Sequence, residues 1–216
     1  SNKITKRVRP IFLTYSNGIF HLREYEFTTP NLYNSIRLLQ HKKYAVQEGT
    51  INIENIQNIL NNIQVVEEPK LPFPQADSFE RVINLCELLK QKGFISKNDI
   101  TQNYDFDYRQ TNYYSSAARY LGLIKDVYEN RQTGCSLTQE GFRIFNLPIV
   151  ERQLEFVKLI LTHTVFQNTL NLYFEKDEVV EIMKEAQLYN IDSEQTYRRR
   201  ASTIISWINW ILGLIE

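Results

Sequence analysis

The sequence predicts a mainly helical protein of the α+β class, and three observations support this prediction. Gly and Pro are scarce, at 7 and 6 of 216 residues, so few positions interrupt a helix. Apolar residues recur at helical spacing along most of the chain after residue 50. Two stretches, 10–27 and 123–138, instead contain pairs of strand-like runs separated by polar turns, which adds β-hairpins to the helices.

Residues 1–72 are predicted to form a small N-terminal α+β module. The stretch 10–27 gives two strands joined at Asn17-Gly18, because Asn-Gly supplies the positive φ angles of a tight hairpin turn. A helix is expected over 31–42, since Thr29-Pro30 fits an N-cap and a first helical position. The apolar stripe of a second helix falls at Ile53, Ile56, Ile59, Leu60 and Ile63.

A proline-rich stretch at 64–77 ends this module, because it holds three of the six prolines and breaks both helical and strand periods. A second domain is predicted over 73–148. Its elements are a helix from Phe79 to Gly93 with Asp77 and Glu80 as a capping box, a short helix at 96–103, a longer helix at 107–121 and the hairpin at 123–138. This order is the layout of a winged helix.

The third helix of this domain separates into two faces at about 100° per residue. The apolar face contains Tyr114, Ala117, Ala118 and Leu121. The opposite face has no carboxylate and contains Tyr108, Arg109, Asn112, Ser115, Ser116 and Arg119. Arg can bond guanine and Asn can bond adenine through paired hydrogen bonds, so this face predicts contact with DNA bases and phosphates. The alternative is an ordinary solvated face.

The same unit recurs over 149–216. Arg109 and Arg200 each precede a Leu-Gly-Leu-Ile sequence by twelve residues. Helices are predicted at 151–163, 165–174, 178–187 and 193–212, and the wing that should follow is absent or truncated. The outer face of the last helix contains Arg198, Arg199, Arg200, Ser202, Thr203 and Ser206. Cations in the first turns oppose the helix dipole, which favours an anionic partner, although one Arg could instead pair with Asp192 or Glu194.

Four segments carry a distinctive combined pattern. They are FPQADSFERVINLCELL, DYRQTNYYSSAARYLGLI, SLTQEGFRIF and TYRRRASTIISWINWIL, and they span Pro72–Glu216. Together they resemble the winged-helix DNA-recognition part of bacterial type II restriction endonucleases. The resemblance implies double-stranded DNA as the partner and a role in restriction–modification, with the third helices of two tandem domains in the major groove.

No convincing catalytic motif is present, so no catalytic or metal-ligating residue is assigned. Glu68-Pro69-Lys70 has the Glu-x-Lys spelling of PD-(D/E)XK nucleases, but no Asp precedes Asp77. His41-x-Lys43, followed by Glu48, has the spelling of a phospholipase-D-type nuclease, and a solvated helix end is the alternative. No cofactor is expected in this chain, with Mg²⁺ required if a nuclease domain is present.

Composition limits the remaining classes. Lys and Arg total 25 and Asp and Glu total 25, which excludes an indiscriminate cationic coat and leaves selective recognition of duplex DNA. Cys86 and Cys135 match no metal or disulfide spacing, as expected in a reducing cytoplasm. No apolar run reaches the roughly 18 residues of a membrane span, so no membrane partner is expected.

Two further hypotheses remain open. The chain could itself be a complete endonuclease with its catalytic site in 1–72. It could also be a winged-helix transcriptional regulator or a protein-interaction module, in which aromatic surfaces form a homodimer.

Overall fold

A computed structural model describes the chain over residues 9–16, 18–29, 32–45, 49–96, 98–99, 108–129, 131–170 and 176–215. It contains both helices and antiparallel sheets, which confirms the α+β class. The chain divides into two compact units, 1–48 and 49–216. This boundary differs from the predicted divisions at 72/73 and 148/149, because Ile51 and Ile56 already belong to the hydrophobic core that extends through the second unit to Ile211.

The first unit contains a three-stranded antiparallel sheet. Its strands are β1 (Ile11–Ser16), β2 (Ile19–Phe27) and β3 (Ile36–Ala45), in the order β1-β2-β3. The predicted hairpin is confirmed, and Gly18 in its turn has a φ of 73°.

The helix predicted over 31–42 is wrong for the described part of that segment. A short 3-10 turn at Tyr33–Ser35 leads directly into β3. β3 pairs with β2 along its length, with Ile19 opposite Ala45 at one end and Phe27 opposite Ile36 at the other. This pairing satisfies the backbone hydrogen-bonding groups on the second edge of β2. The local pattern of residues 31–42 is compatible with a helix or a strand, and pairing with β2 favours the strand.

The second unit begins with the elements α1 (Ile53–Asn62), α2 (Phe79–Lys92), β4 (Ile95–Ser96), α3 (Tyr108–Tyr120), β5 (Ile124–Glu129) and β6 (Gln132–Leu137). The helices predicted at 53–63, 79–93 and 107–121 and the hairpin at 123–138 are confirmed. The three strands form one antiparallel sheet in the order β4-β6-β5. Most of the predicted short helix at 96–103 lies outside the described residues, although Ser96 and Asp99 exchange the hydrogen bonds of a helix cap.

The rest of the unit, where the structure describes it, contains the helices α4 (Gln139–Phe145), α5 (Ile149–Leu161), α6 (Thr164–Leu170), α7 (Lys176–Glu185) and α8 (Glu194–Leu212). The two Leu-Gly-Leu-Ile sequences differ in backbone conformation. Gly122 has a φ of 69° and leads into β5, whereas Gly213 has a φ of −72° and is followed by a parallel bridge between Ile215 and Ile51. None of the described helices is both long and apolar enough to cross a bilayer.

Trp207 of α8 lies at the centre of this core and is fully buried. Its ring stacks on Phe166 at a centroid distance of 5.2 Å and meets the edge of Phe79 at 4.9 Å. Its Nε1–H donates to the carbonyl oxygen of Ala76 at 2.7 Å. The indole therefore joins α8 to α6, to α2 and to the segment that precedes α2.

Replacing Trp207 with Phe should lower the free energy of unfolding by about 1–3 kcal/mol, because the Ala76 carbonyl loses its donor and a void opens beside Phe166. Urea denaturation followed by circular dichroism measures this change. The half-buried Trp210 is the matched control, and Trp210→Phe should cost less. Equal losses for the two variants would contradict a special role for the Trp207 hydrogen bond.

Candidate nucleic-acid interface

The apolar side of α3 fixes the direction of its outer face. Tyr114, Ala117, Ala118 and Leu121 are buried, as predicted. The two alanines bring α3 close to the core, so the opposite side of the helix is directed away from it. The outer face can therefore be described residue by residue.

The predicted contact residues on α3 differ in accessibility. Asn112 and Ser116 are half-buried. Ser115 is 4% exposed and its hydroxyl donates to the carbonyl of Asn112, which removes it from the accessible face. The sequence pattern missed this because a helix-facing hydroxyl can bury itself against a local carbonyl. The helical backbone at Tyr108 and Arg109 is described, but their side chains lie outside the described part of the structure.

Arg119 connects the outer face of α3 to the hairpin. Its Nε donates to Oδ1 of Asp126 on β5 at 3.1 Å, and its side chain is 21% exposed. The pair orients the guanidinium beside the helix and leaves little of it accessible. Lys125 and Arg131 on the same hairpin are exposed and form no ion pair with any described residue.

The three arginines of α8 have three different environments. Arg198 pairs with Asp177 at 2.9 Å and with Glu194 at 3.7 Å, so the predicted alternative partner Glu194 is confirmed for this residue. Arg199 is exposed and makes no ion pair among the described residues. Arg200 is half-buried, and its Nε has no acceptor in the described part of the chain.

The remaining predicted residues of α8 are also divided. Ser202 and Ser206 are half-buried, and Ser202 accepts a hydrogen bond from Nζ of Lys176 at 2.6 Å. Thr203 is fully buried, so it cannot contact DNA. Its hydroxyl donates to Oδ1 of Asp77 at 2.7 Å.

This bond also corrects the prediction for the start of α2. The N-cap is Ser78, which makes no side-chain cap bond, and Asp77 is bound to α8 instead of to its own helix.

Glu68, part of the Glu-x-Lys spelling, is bonded toward the protein interior. Its Oε2 accepts from the hydroxyl of Tyr120 at 2.5 Å, and its buried Oε1 lies 3.3 Å from Nδ1 of His163. The rings of Tyr120 and His163 stack at 4.3 Å. Burial, followed by the charge and hydrogen bond of Glu68, raises the pKa of Tyr120.

A cleft of about 570 Å³ lies beside this cluster. It is lined by Val66, Glu67, Glu68, Lys70, Thr164, Glu185, Ala186, Gln187 and Tyr189. Within the described residues, no group of three or more His, Cys, Asp or Glu side chains is arranged to hold a metal ion. Because one oxygen of Glu68 is bonded to Tyr120 and the other is buried beside His163, the described geometry does not assemble the metal-binding carboxylates that a Glu-x-Lys nuclease needs.

His41 is on strand β3, not at the end of a helix as the alternative for its motif supposed. Its Nε2 lies 3.0 Å from Nδ1 of the buried His21, and the two rings stack. One nitrogen of His41 is therefore engaged with His21.

Residues 81–216, more than half of the chain, match the model of a domain of unknown function, DUF7226, and the chain therefore belongs to that family. Residues 1–45 match a second domain of unknown function, DUF6997. The two matched ranges fall on either side of the division between the compact units. No curated protein and no solved structure matches the chain.

Tyr120→Phe should lower the free energy of unfolding by about 1–3 kcal/mol at neutral pH, because Glu68 loses its buried donor. Since the pKa of Tyr120 is raised in the folded protein, the folded state holds this proton above pH ~10 while the unfolded state releases it. The free energy of unfolding of the wild type should therefore fall as pH rises above ~10, and its difference from that of Tyr120→Phe should become smaller.

Urea denaturation at pH 8, 10 and 11 tests both effects. Tyr128→Phe, which removes a hydroxyl from a 72% exposed side chain, is the control and should leave the unfolding free energy at pH 8 unchanged. A constant gap between wild type and Tyr120→Phe across these pH values would contradict the assigned cause.

Proposed function

We propose that residues 49–216 bind double-stranded DNA sequence-specifically, through the outer faces of α3 and α8. The observation that carries this proposal is the chain order α2, β4, α3, β5 and β6 with the strand order β4-β6-β5. A helix that packs on α2 and is followed by a two-stranded hairpin is the arrangement of a winged helix, in which the third helix enters the major groove.

The charge distribution supports an anionic partner. No acidic residue occurs in α3, and Glu194 is the single one in α8. Arg199 on α8 and Lys125 and Arg131 on the hairpin have no ion-pair partner among the described residues. Paired arginines such as Arg198 are already neutralised locally, so the free cations carry the attraction for phosphate.

The second copy of the unit supplies the second helix of the interface. α7 and α8 pack against each other, and Lys176 at the start of α7 bonds Ser202 on the outer face of α8. In this proposal the pair acts as a helix-turn-helix, with α8 as the third helix of its copy. No hairpin follows α8 within the described residues, which end at residue 215.

The restriction–modification role rests on the sequence resemblance. In that role the 49–216 unit selects the DNA site, and a nuclease domain with Mg²⁺ supplies cleavage. Incubation of plasmid DNA with this chain, with Mg²⁺ and with EDTA, distinguishes a recognition unit from a complete endonuclease. Mg²⁺-dependent cleavage would favour the complete enzyme.

Fluorescence anisotropy with a labelled duplex should show binding that weakens steeply as salt rises from about 50 to about 200 mM. Each phosphate neutralised by Lys or Arg contributes about 0.9 to the slope of log K against log salt. Absent binding, or binding with no salt dependence, would refute the DNA proposal.

Arg109→Ala should weaken binding to the preferred duplex by about 1–3 kcal/mol and relax the preference at one base pair, if this side chain reads a base. Competition with a panel of single-base variants of the duplex measures the preference. Arg143→Ala is the charge-matched control, because Arg143 on α4 is already paired with Glu140 and Glu155. An unchanged preference in Arg109→Ala would remove this residue from the interface.

A further inference from the structure

Arg200 is a half-buried guanidinium without a hydrogen bond or an ion pair to any residue that the structure describes. Its Nε is inaccessible and has no acceptor within that part of the chain. A guanidinium carries five N–H donors and stays charged at neutral pH. Burying such a group without acceptors costs free energy, so an unpartnered Arg in this position requires an explanation.

The position of Arg200 on α8 explains its partial burial. Arg200, Thr203 and Trp207 are spaced by three and four residues and therefore lie along one side of the helix. Trp207 and Thr203 bond the segment Ala76-Asp77 that runs beside α8. Arg200 is the next residue along this stripe, at the point where the stripe reaches the outer surface.

Two other groups lie near the guanidinium. Burial, and then the charge of Arg199, lower the pKa of Arg200, whereas Tyr113 and Asp77 act in the opposite direction. Asp77 is thus close, but its Oδ1 is bonded to Thr203 and it makes no ion pair with Arg200. Tyr113 belongs to α3, so Arg200 lies where α3, α8 and the segment before α2 converge.

Among the described residues, two acids of α7 and α8 are engaged away from Arg200. Asp177 and Glu194 both pair with Arg198. Arg199, one residue away, is exposed and is a second cation without an ion pair among the described residues. Lys176, a third cation, bonds Ser202, which lies two residues after Arg200 on α8.

We propose that Arg200 is a phosphate-binding site at the junction of α3, α8 and Ala76-Asp77. The two terminal nitrogens of the guanidinium donate in parallel to two oxygens of one phosphate group, because the planar arginine fork matches that geometry. Asp77 is the opposing charge of the site and limits its affinity for anions. A DNA backbone phosphate and a free phosphoryl ligand share this chemistry. The inference rests on the proposed function only in taking the phosphate to be that of DNA.

The stability of Arg200→Met separates this role from a purely structural one. Met keeps most of the side-chain volume and removes the unpartnered charge. If Arg200 serves a ligand, the variant should melt at the same temperature as the ligand-free wild type or higher. If Arg200 instead holds the fold together, the variant should melt at a lower temperature.

Two binding measurements on the full chain test the site. With duplex DNA, Arg200→Met should reduce the slope of log K against log salt by about 0.9 and weaken binding equally for two unrelated sequences. With inorganic phosphate and no DNA, thermal melting should show a concentration-dependent stabilisation of the wild type that is reduced in Arg200→Met. Asp77→Asn keeps an oxygen for Thr203, removes the opposing charge and should increase the phosphate response.

Arg143→Met is the charge-matched control and should behave as the wild type in both measurements, because general salt effects act on all variants alike. If Arg200→Met responds to DNA and to phosphate as the wild type does, the proposed site is refuted and the DNA proposal is unaffected. Phosphate stabilisation that depends on Arg200, without DNA binding by the wild type, supports the site and refutes the DNA proposal. A reduced slope of log K against log salt in Arg200→Met, without any thermal stabilisation of the wild type by inorganic phosphate, supports a site whose ligand is a DNA backbone phosphate.

Discussion

The buried indole of Trp207 is the contact on which the arrangement of the 49–216 unit depends. It meets Phe79 and Phe166 and donates to Ala76, so it fixes both the position and the rotation of α8. Once that rotation is set, the apolar stripe faces the core and the polar residues face outward. The accessibility of every α8 side chain, including the difference between Arg199 and Arg200, follows from this one packing arrangement.

Local sequence patterns were sufficient to predict most of the described helices and both hairpins. The apolar period predicts α1, α2, α3 and α8, and Gly93 and Gly122 end two of them with positive φ angles. The strand β3 could not be predicted in this way, since its conformation depends on pairing with β2. The unit boundary was missed for a similar reason: the prolines of 64–77 break periodicity, yet Glu68 in that stretch is tied to Tyr120, 52 residues away.

The candidate site shows the same limit at the level of single side chains. Helical spacing assigned Ser115 and Thr203 to outer faces, but each hydroxyl found a carbonyl or carboxylate acceptor that permits burial. The Thr203 acceptor, Asp77, is 126 residues distant in the chain. Spacing also grouped Arg198 with Arg199 and Arg200, whereas Asp177 neutralises only the first of them. Ion pairs between separate helices leave no periodic signal in a sequence.

The net charge of zero includes cations that are already paired with acids inside the fold. Acids neutralise Arg119, Arg143 and Arg198 within the fold, which leaves a smaller number of cations to attract a polyanion. A surface of this kind has little long-range attraction for polyanions, so any affinity for an anionic partner depends on where the remaining cations are held. Trp207 holds α8 against the segment Ala76-Asp77, and that segment lies beside Arg200. The packing of the core therefore positions Arg200, which has no ion pair among the described residues, beside Ala76-Asp77.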